Sequence, residues 1–158
     1  MITLNLIGQE KTFPASRTDA KISIDGELGE ADWQKTNCAT DFVEYEPQPG
    51  ATPMYETEVC VLYDDKALYV AAFMHDDKPD EILREFTRRD DDNGNTDMFT
   101  IQLNPNNDKR NFYEFKVTAS NVQTDIRVSD GDYDDDWDAV WMSAVQIHHE
   151  GWTVELKI

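Results

Sequence analysis

An antiparallel β-sandwich, jelly-roll or immunoglobulin-like, with one or two short helices is the fold class this sequence predicts. Three observations carry that prediction. Apolar residues recur with period two in several short runs, turn residues bound those runs at close spacing, and helix-like patterning is confined to two brief stretches. At 158 residues the chain is long enough for one core, and four Trp, seven Phe and six Tyr are too many for a disordered chain. Residues 1–19 read as an N-terminal extension and 20–158 as the sandwich.

Taken in order, Asp25 and Gly26 form a tight turn, and GELGEADW leads into one helical turn that delivers Trp33 to the core. QPGATP at 48–53 is a loop. In TEVCVLYDDKALYVAAFMHDD, Val59, Val61 and Tyr63 alternate, Asp64 and Asp65 turn the chain, and Leu68 to Phe73 return as a hairpin. Pro79 precedes DEILREF, where Ile82, Leu83 and Phe86 share a helical face behind an acidic first turn, so a short helix is expected there. A second hairpin pairs Phe99, Ile101 and Leu103 with Tyr113, Phe115 and Val117 across the polar loop 104–111. The final GWTVELKI sets Trp152, Val154, Leu156 and Ile158 on one face and Thr153, Glu155 and Lys157 on the other. An alternating strand of this quality ordinarily leads on to further structure, so the sequence reads as a C-terminally truncated fragment.

The net charge of −19, from 33 acidic against 14 basic residues, repels phosphate backbones and anionic headgroups. Nucleic acid is therefore not an expected partner; cations and neutral polyols are compatible with the field. No run approaches the roughly 20 apolar residues of a membrane-spanning helix. The first residues show no basic segment followed by a long apolar stretch, as in a mature or trimmed chain. Cys38 and Cys60 permit one disulfide but read as reduced, packed thiols, since each adjoins apolar or strand-like sequence.

Nucleophilic catalysis has little support: there is no Gly-x-Ser-x-Gly elbow, and of the histidines His75, His148 and His149 the last two precede a Gly turn and sit at a strand end. Among so many acids, no carboxylate pair is informative for glycoside hydrolysis. Calcium is the cofactor the acids point to, because it takes six to eight oxygen ligands. Asp130, Asp132 and Asp134 alternate in SDGDYDDDWD, although the EF-hand pattern fails: counting from Asp130, the sixth position is Asp135 and the twelfth is Trp141. A second cluster holds Asp90, Asp91, Asp92 and Asp97 beside Arg88 and Arg89. A solvated acidic loop is the plainer reading of both. Sugar binding asks for exposed aromatic faces beside planar polar groups. Trp137 and Trp141 would share a strand face with Ala139; Trp141 leads into an apolar strand and reads as core, whereas Trp137 lies among aspartates as a platform.

The ordered set IDGELGEADW at 24–33, TEVCVLYDDKALYVAAFMHDDKPDEI at 57–82, RRDDDNGNTDMFTIQLN at 88–104, YEFKVTASNVQTD at 113–125, DDDWDAVWMSAV at 134–145 and GWTVELKI at 151–158 resembles the family 9 carbohydrate-binding modules. The likeness is nearer to the sandwich at the N-terminus of bacterial proteins that continue into an outer-membrane β-barrel. It implies a noncatalytic domain that binds oligosaccharide or polysaccharide, structural calcium, a following domain, and an extracellular, periplasmic or outer-membrane setting. Lys116 matches a position where those modules place a sugar-bonding Arg, and Asp97 matches the acid opening the preceding strand. The binding carboxylate falls on Thr100, one sandwiching tryptophan falls near Gly94 or Asn95 and is missing, and the other lies beyond Ile158. The resulting sugar-site candidates are Trp137, Arg89, Lys116 and Trp141, and the metal candidates are Asp130, Asp132, Asp134 and Asp97. The rival readings are a sandwich that docks on the following barrel without binding sugar, and a component of a glycoside hydrolase.

Overall fold

The structure is a computed structural model and describes residues 12–91 and 93–158. In chain order it contains β1 (Ser16–Arg17), α1 (Ala31–Lys35), β2 (Cys38–Ala39), β3 (Thr57–Tyr63), β4 (Leu68–His75), a 3-10 turn (Pro79–Glu81), β5 (Met98–Leu103), β6 (Asn111–Thr118), β7 (Gln123–Ser129), β8 (Asp132–Asp134), β9 (Met142–His148) and β10 (Gly151–Lys157). Two sheets face each other. One runs β1-β3-β4-β10-β9 with β2 also on β3, and the other runs β5-β6-β7-β8. Among the described strands only β1 pairs in parallel; it and β2 share the outer edge of β3 end to end, at Leu62–Tyr63 and Val59–Cys60. Residues 16–17, expected in the extension, therefore belong to the first sheet, and residues 1–11 of that extension lie outside the described residues.

Both hairpins form in the expected register. Phe99 faces Val117, Ile101 faces Phe115 and Leu103 faces Tyr113, and all six point into the sandwich core. They meet Val70, Ala72, Trp152, Val154 and Leu156 from the opposing sheet. The expected helix at 79–86 is corrected to a single 3-10 turn. Ile82 reaches the core, but Thr96 pairs with Arg84 and Asp97 N–H bonds Leu83 O, so this segment runs as an extended strap. Strap pairing replaces the helical hydrogen bonds, and Phe86 is left 79% exposed.

Two further expectations are corrected on the far face of the first sheet. Cys38 and Cys60 are disulfide-bonded, because β2 lies directly across from β3 with these two residues in register. Glu155, expected on the polar side of β10, is fully buried. The segment 18–39 covers that side with a second apolar cluster of Ile22, Trp33, Leu62, Tyr69 and Ala71. Its attachment is polar: Glu155 Oε2 accepts Asp25 N–H at 3.0 Å and Gly26 N–H at 2.9 Å, and Oε1 accepts the Trp33 indole N–H at 2.9 Å. Glycine is required at 26, where φ is +85° and a Cβ would stand 2.8 Å from Gln146 Cγ and 2.9 Å from the Val145 carbonyl carbon. Trp33 thus reaches a core as expected, on the opposite side of the sheet from the sandwich interior.

Burial pushes the Glu155 carboxyl above its ordinary 4.5, and the three hydrogen bonds only partly oppose that. Below the ordinary value the group is protonated in both states. As pH rises from there through the raised folded value, the folded state must hold a buried charge that the unfolded chain keeps in water, and the stabilising contribution is lost. Denaturant unfolding of wild type and Glu155→Gln from pH 4 to pH 8 is expected to show wild type losing stability relative to the variant as pH rises. Parallel curves would contradict this.

Candidate carbohydrate-binding surface

The four candidate sugar residues divide between the two sides of one sheet. Period-two alternation on β6 sends Tyr113, Phe115 and Val117 inward and Phe112, Glu114 and Lys116 outward. Trp137 packs on the inward set, with its ring centroid 4.9 Å from Tyr113 and 6.1 Å from Phe115. Trp141 is 7% exposed and meets Phe115 edge-on at 5.3 Å. Lys116 lies on the other side of the sheet, so no ligand touches it and either tryptophan together. Asp138 and Val140 face solvent, opposite Trp137 and Trp141, which keeps the expected alternation without a strand.

Arg89 joins the tryptophan side through Asp125, a β7 carboxylate whose side chain is fully buried. Asp125 Oδ1 accepts Arg89 Nη2 at 2.5 Å and the Trp141 indole at 3.0 Å, while Oδ2 accepts Ala139 N–H at 2.5 Å. Arg89 also bonds Gln123 and reaches Asp138 at 2.9 Å and Asp90 at 3.4 Å. With three carboxylates around it, its single positive charge is more than offset. Asp90 N–H bonds Gln123 O, so the strap runs along β7 where β8 does not cover it. Desolvation there pushes the Asp90 carboxyl up.

The outward face of the second sheet is built differently. Lys116 is cross-strand from Thr100 on one side and Thr124 on the other. One row further, Glu114 sits between Gln102 and Ile126, and in the next Phe112 adjoins Val128, which adjoins Tyr133. Glu114 is only 6% exposed although it points away from the core. Its oxygens are held by Lys116 Nζ at 3.0 Å and Gln102 Nε2 at 2.5 Å. An ammonium, a carboxylate and an amide are thereby fixed side by side, with the exposed Thr100 cross-strand from Lys116 and neighbouring rows about 7 Å apart along the strands. Beyond them Phe112, Val128 and the 66% exposed Tyr133 line a hollow of about 350 Å³ whose rim carries Arg110 and Asp130. Asp108 shapes the adjoining loop: it accepts the Asn111 side-chain amide and the N–H groups of Arg110 and Asn111, which hold its carboxyl well below the ordinary range. Sequence reasoning missed Gln102, Glu114, Phe112 and Tyr133. The signal available was parity, since Phe112 and Glu114 share the strand face of Lys116, Gln102 is cross-strand from Glu114, and Tyr133 from Val128, which pairs with Phe112.

The metal candidates stand at two ends of this sheet. Asp97 opens β5 and accepts Leu83 N–H at 3.1 Å, near the β6–β7 turn. Asp130 pairs with Arg110 at 3.5 Å at the opposite end, with Asp132 beside it on β8 and Asp134 held by Arg127. A strand the length of β6 separates the ends by about 20 Å, so Asp97 shares no cage with the other three. Among the described residues no group of three or more His, Cys, Asp or Glu side chains gathers in a metal-holding arrangement, and Asp92 lies outside those residues. As placed, Asp97, Asp130, Asp132 and Asp134 do not form the six- to eight-oxygen cage that calcium takes.

A family model described as carbohydrate family 9 binding domain-like matches residues 24–158. No curated protein matches the chain. Among solved structures, a family 9 carbohydrate-binding module from Caldicellulosiruptor kristjanssonii in complex with cellotriose is similar, with 19% identity and a TM-score of 0.64 over 91% of this chain and 65% of that one. The same module with glucose gives 20% identity and 0.65, over 91% and 66%. A Bacteroides uniformis protein described as a carbohydrate-binding protein gives 12% and 0.61, over 91% and 70%. This chain thus spans just under two thirds of the Caldicellulosiruptor module.

Replacing Asp125 with Ala leaves the Trp141 indole and the Ala139 amide without their acceptor and removes the buried carboxylate partner of Arg89. A loss of about 3 kcal/mol or more in chemical unfolding is expected. A loss below about 1 kcal/mol would show that the hub does not hold the strap.

Proposed function

Because the chain belongs to the carbohydrate family 9 binding domain-like family, a family of binding modules and not of enzymes, we propose that it captures oligosaccharide or polysaccharide on the outward face of its second sheet. The observation that carries this reading is the row of Thr100, Lys116, Glu114 and Gln102 beside the Phe112–Val128–Tyr133 hollow. A pyranose has an apolar side that lies on an aromatic ring and hydroxyls that need donors and acceptors held in one plane. The row meets the second need without reorganisation, since Lys116 and Gln102 are already oriented by Glu114. Tyr133 and Phe112 meet the first. Lys116 and Thr100 occupy adjacent cross-strand positions, so one ligand can reach both, although Thr100 offers a hydroxyl where the family places its binding carboxylate.

Arg89, Trp137 and Trp141 take a positioning role in this account: they fix the strap and the 137–141 segment to the inner face of the same sheet. The partner is a neutral or mildly polar glycan, because a molecule of net charge −19 repels polyanions at long range. The Caldicellulosiruptor complexes make cellotriose and glucose the natural first probes.

The wider setting we propose is a larger secreted or outer-membrane protein that gathers glycan. Docking on another part of such a protein is a second reading, supported by the loop between β2 and β3. It exposes Val43 at 60%, Tyr45 at 85% and Met54 at 84%, and it belongs to the first sheet, away from the sugar face.

Titration calorimetry with cellotriose and a panel of plant and microbial oligosaccharides tests the reading. Saturable binding is expected in wild type, weakened about tenfold or more, near 1.4 kcal/mol, by Tyr133→Ala with the unfolding midpoint unchanged. Lys116→Ala is expected to weaken binding as much and also to lower the midpoint, because it leaves the buried Glu114 without its cation, while staying folded under the assay conditions. Binding that survives both substitutions would displace the site from this face.

A further inference from the structure

We infer that the hollow lined by Phe86 is a second saccharide subsite, shaped for one neutral sugar ring. This rests on the module reading above but uses none of the residues of the sheet face. Four polar side chains form its floor as a continuous chain of hydrogen bonds. Arg89 donates to Gln123 Oε1, Gln123 Nε2 donates to Ser143 Oγ at 3.0 Å, and Ser143 Oγ donates to Asn121 Oδ1 at 2.7 Å. Asn121 Nδ2 returns to Ser143 O at 3.4 Å. The chain spans the sandwich, from the β6–β7 turn and the start of β7 to β9 on the other sheet. Both amides are therefore held in orientation, and each has a second N–H outside these bonds.

The wall is Phe86. Its ring is 79% exposed, while Ile82, four residues earlier on the same strap, is 6% exposed in the core. The strap thus contributes a large, exposed apolar ring to the lining of the same hollow as the polar chain. Between them lies a cavity of about 360 Å³, at the lower end of small-ligand sites and matched to a single ring rather than an extended chain.

Charge selects the ligand class. Among the described residues Arg89 is the one ionised side chain lining this hollow, and Asp125, Asp138 and Asp90 already more than offset its charge from outside. What remains for a ligand is amide and hydroxyl chemistry, which suits a neutral polyol and gives an anion no net attraction. An aromatic ring and planar amides lining one hollow are the pairing a pyranose requires.

The test is ¹⁵N nuclear magnetic resonance of the full chain titrated with glucose and with cellotriose, in wild type and Phe86→Ala. Saturable shifts are expected at the side-chain amides of Asn121 and Gln123 and at the Phe86 backbone. Phe86→Ala should weaken that response at least tenfold, leave shifts at Gln102 and Glu114 within about twofold in Kd, and leave the Trp141 indole resonance in place as a control for the fold. Shifts at Gln102 and Glu114 with Asn121 and Gln123 silent would overturn the subsite and leave the module reading intact. Shifts at Asn121 and Gln123 alone would support the subsite and overturn the sheet-face assignment. Silence at both sets with both sugars would overturn both, and hollow shifts unaffected by Phe86→Ala would overturn the ring's role.

Discussion

The buried carboxylate of Asp125 is the constraint on which the functional half of the molecule depends. A strap without helix and a segment without strand must find partners for their backbone and indole N–H groups, since unpaired buried donors are costly. Asp125 supplies them at one point, accepting Ala139 N–H, the Trp141 indole and the Arg89 guanidinium. The first sheet repeats the device on its far face, where Glu155 accepts Asp25 N–H, Gly26 N–H and the Trp33 indole. In both cases a tryptophan brings apolar area and a donor to the same acid. The strands are set by alternation and pairing; the irregular segments are set by these two acids.

That division explains what could be read from the amino-acid order. Register on β5 and β6 follows from turn chemistry and a single buried face, and Phe99, Ile101 and Leu103 meet the residues their parity selects. Trp33 was legible because a turn and a short helical signal precede it. Glu155 was not, since alternation assigns a residue to a face but does not reveal that a distant segment will cover that face. The disulfide was hidden for a similar reason: β2 is only two residues long, and nothing in its sequence announces that Cys38 lies against Cys60 on β3. The strap imitated a helix because Ile82, Leu83 and Phe86 have helical spacing, yet pairing of Arg84 with Thr96 won.

The binding surface was half legible. Lys116 was singled out through a family likeness, and the sheet places it beside Thr100, where the family's binding carboxylate is replaced by a hydroxyl. Its neighbours Gln102 and Glu114 lie among many polar residues, and only register brings them together. Trp137 looked like a platform because aspartates surround it in sequence; in space its neighbours are Tyr113 and Phe115. The acidic surface and the polar row then act at different ranges. In the proposed reading, net charge disfavours polyanions at long range and the fixed hydrogen-bonding groups would discriminate among neutral ligands at contact.

The measurement that tests the account most directly is a crystal structure of the chain grown with cellotriose. The account predicts a sugar ring against Phe112 or Tyr133 with its hydroxyls bonded to Lys116 and Gln102, and no change at the Asp125 hub. A sugar bound at saturating concentration elsewhere, with the Thr100–Lys116–Gln102 face bare, would contradict it.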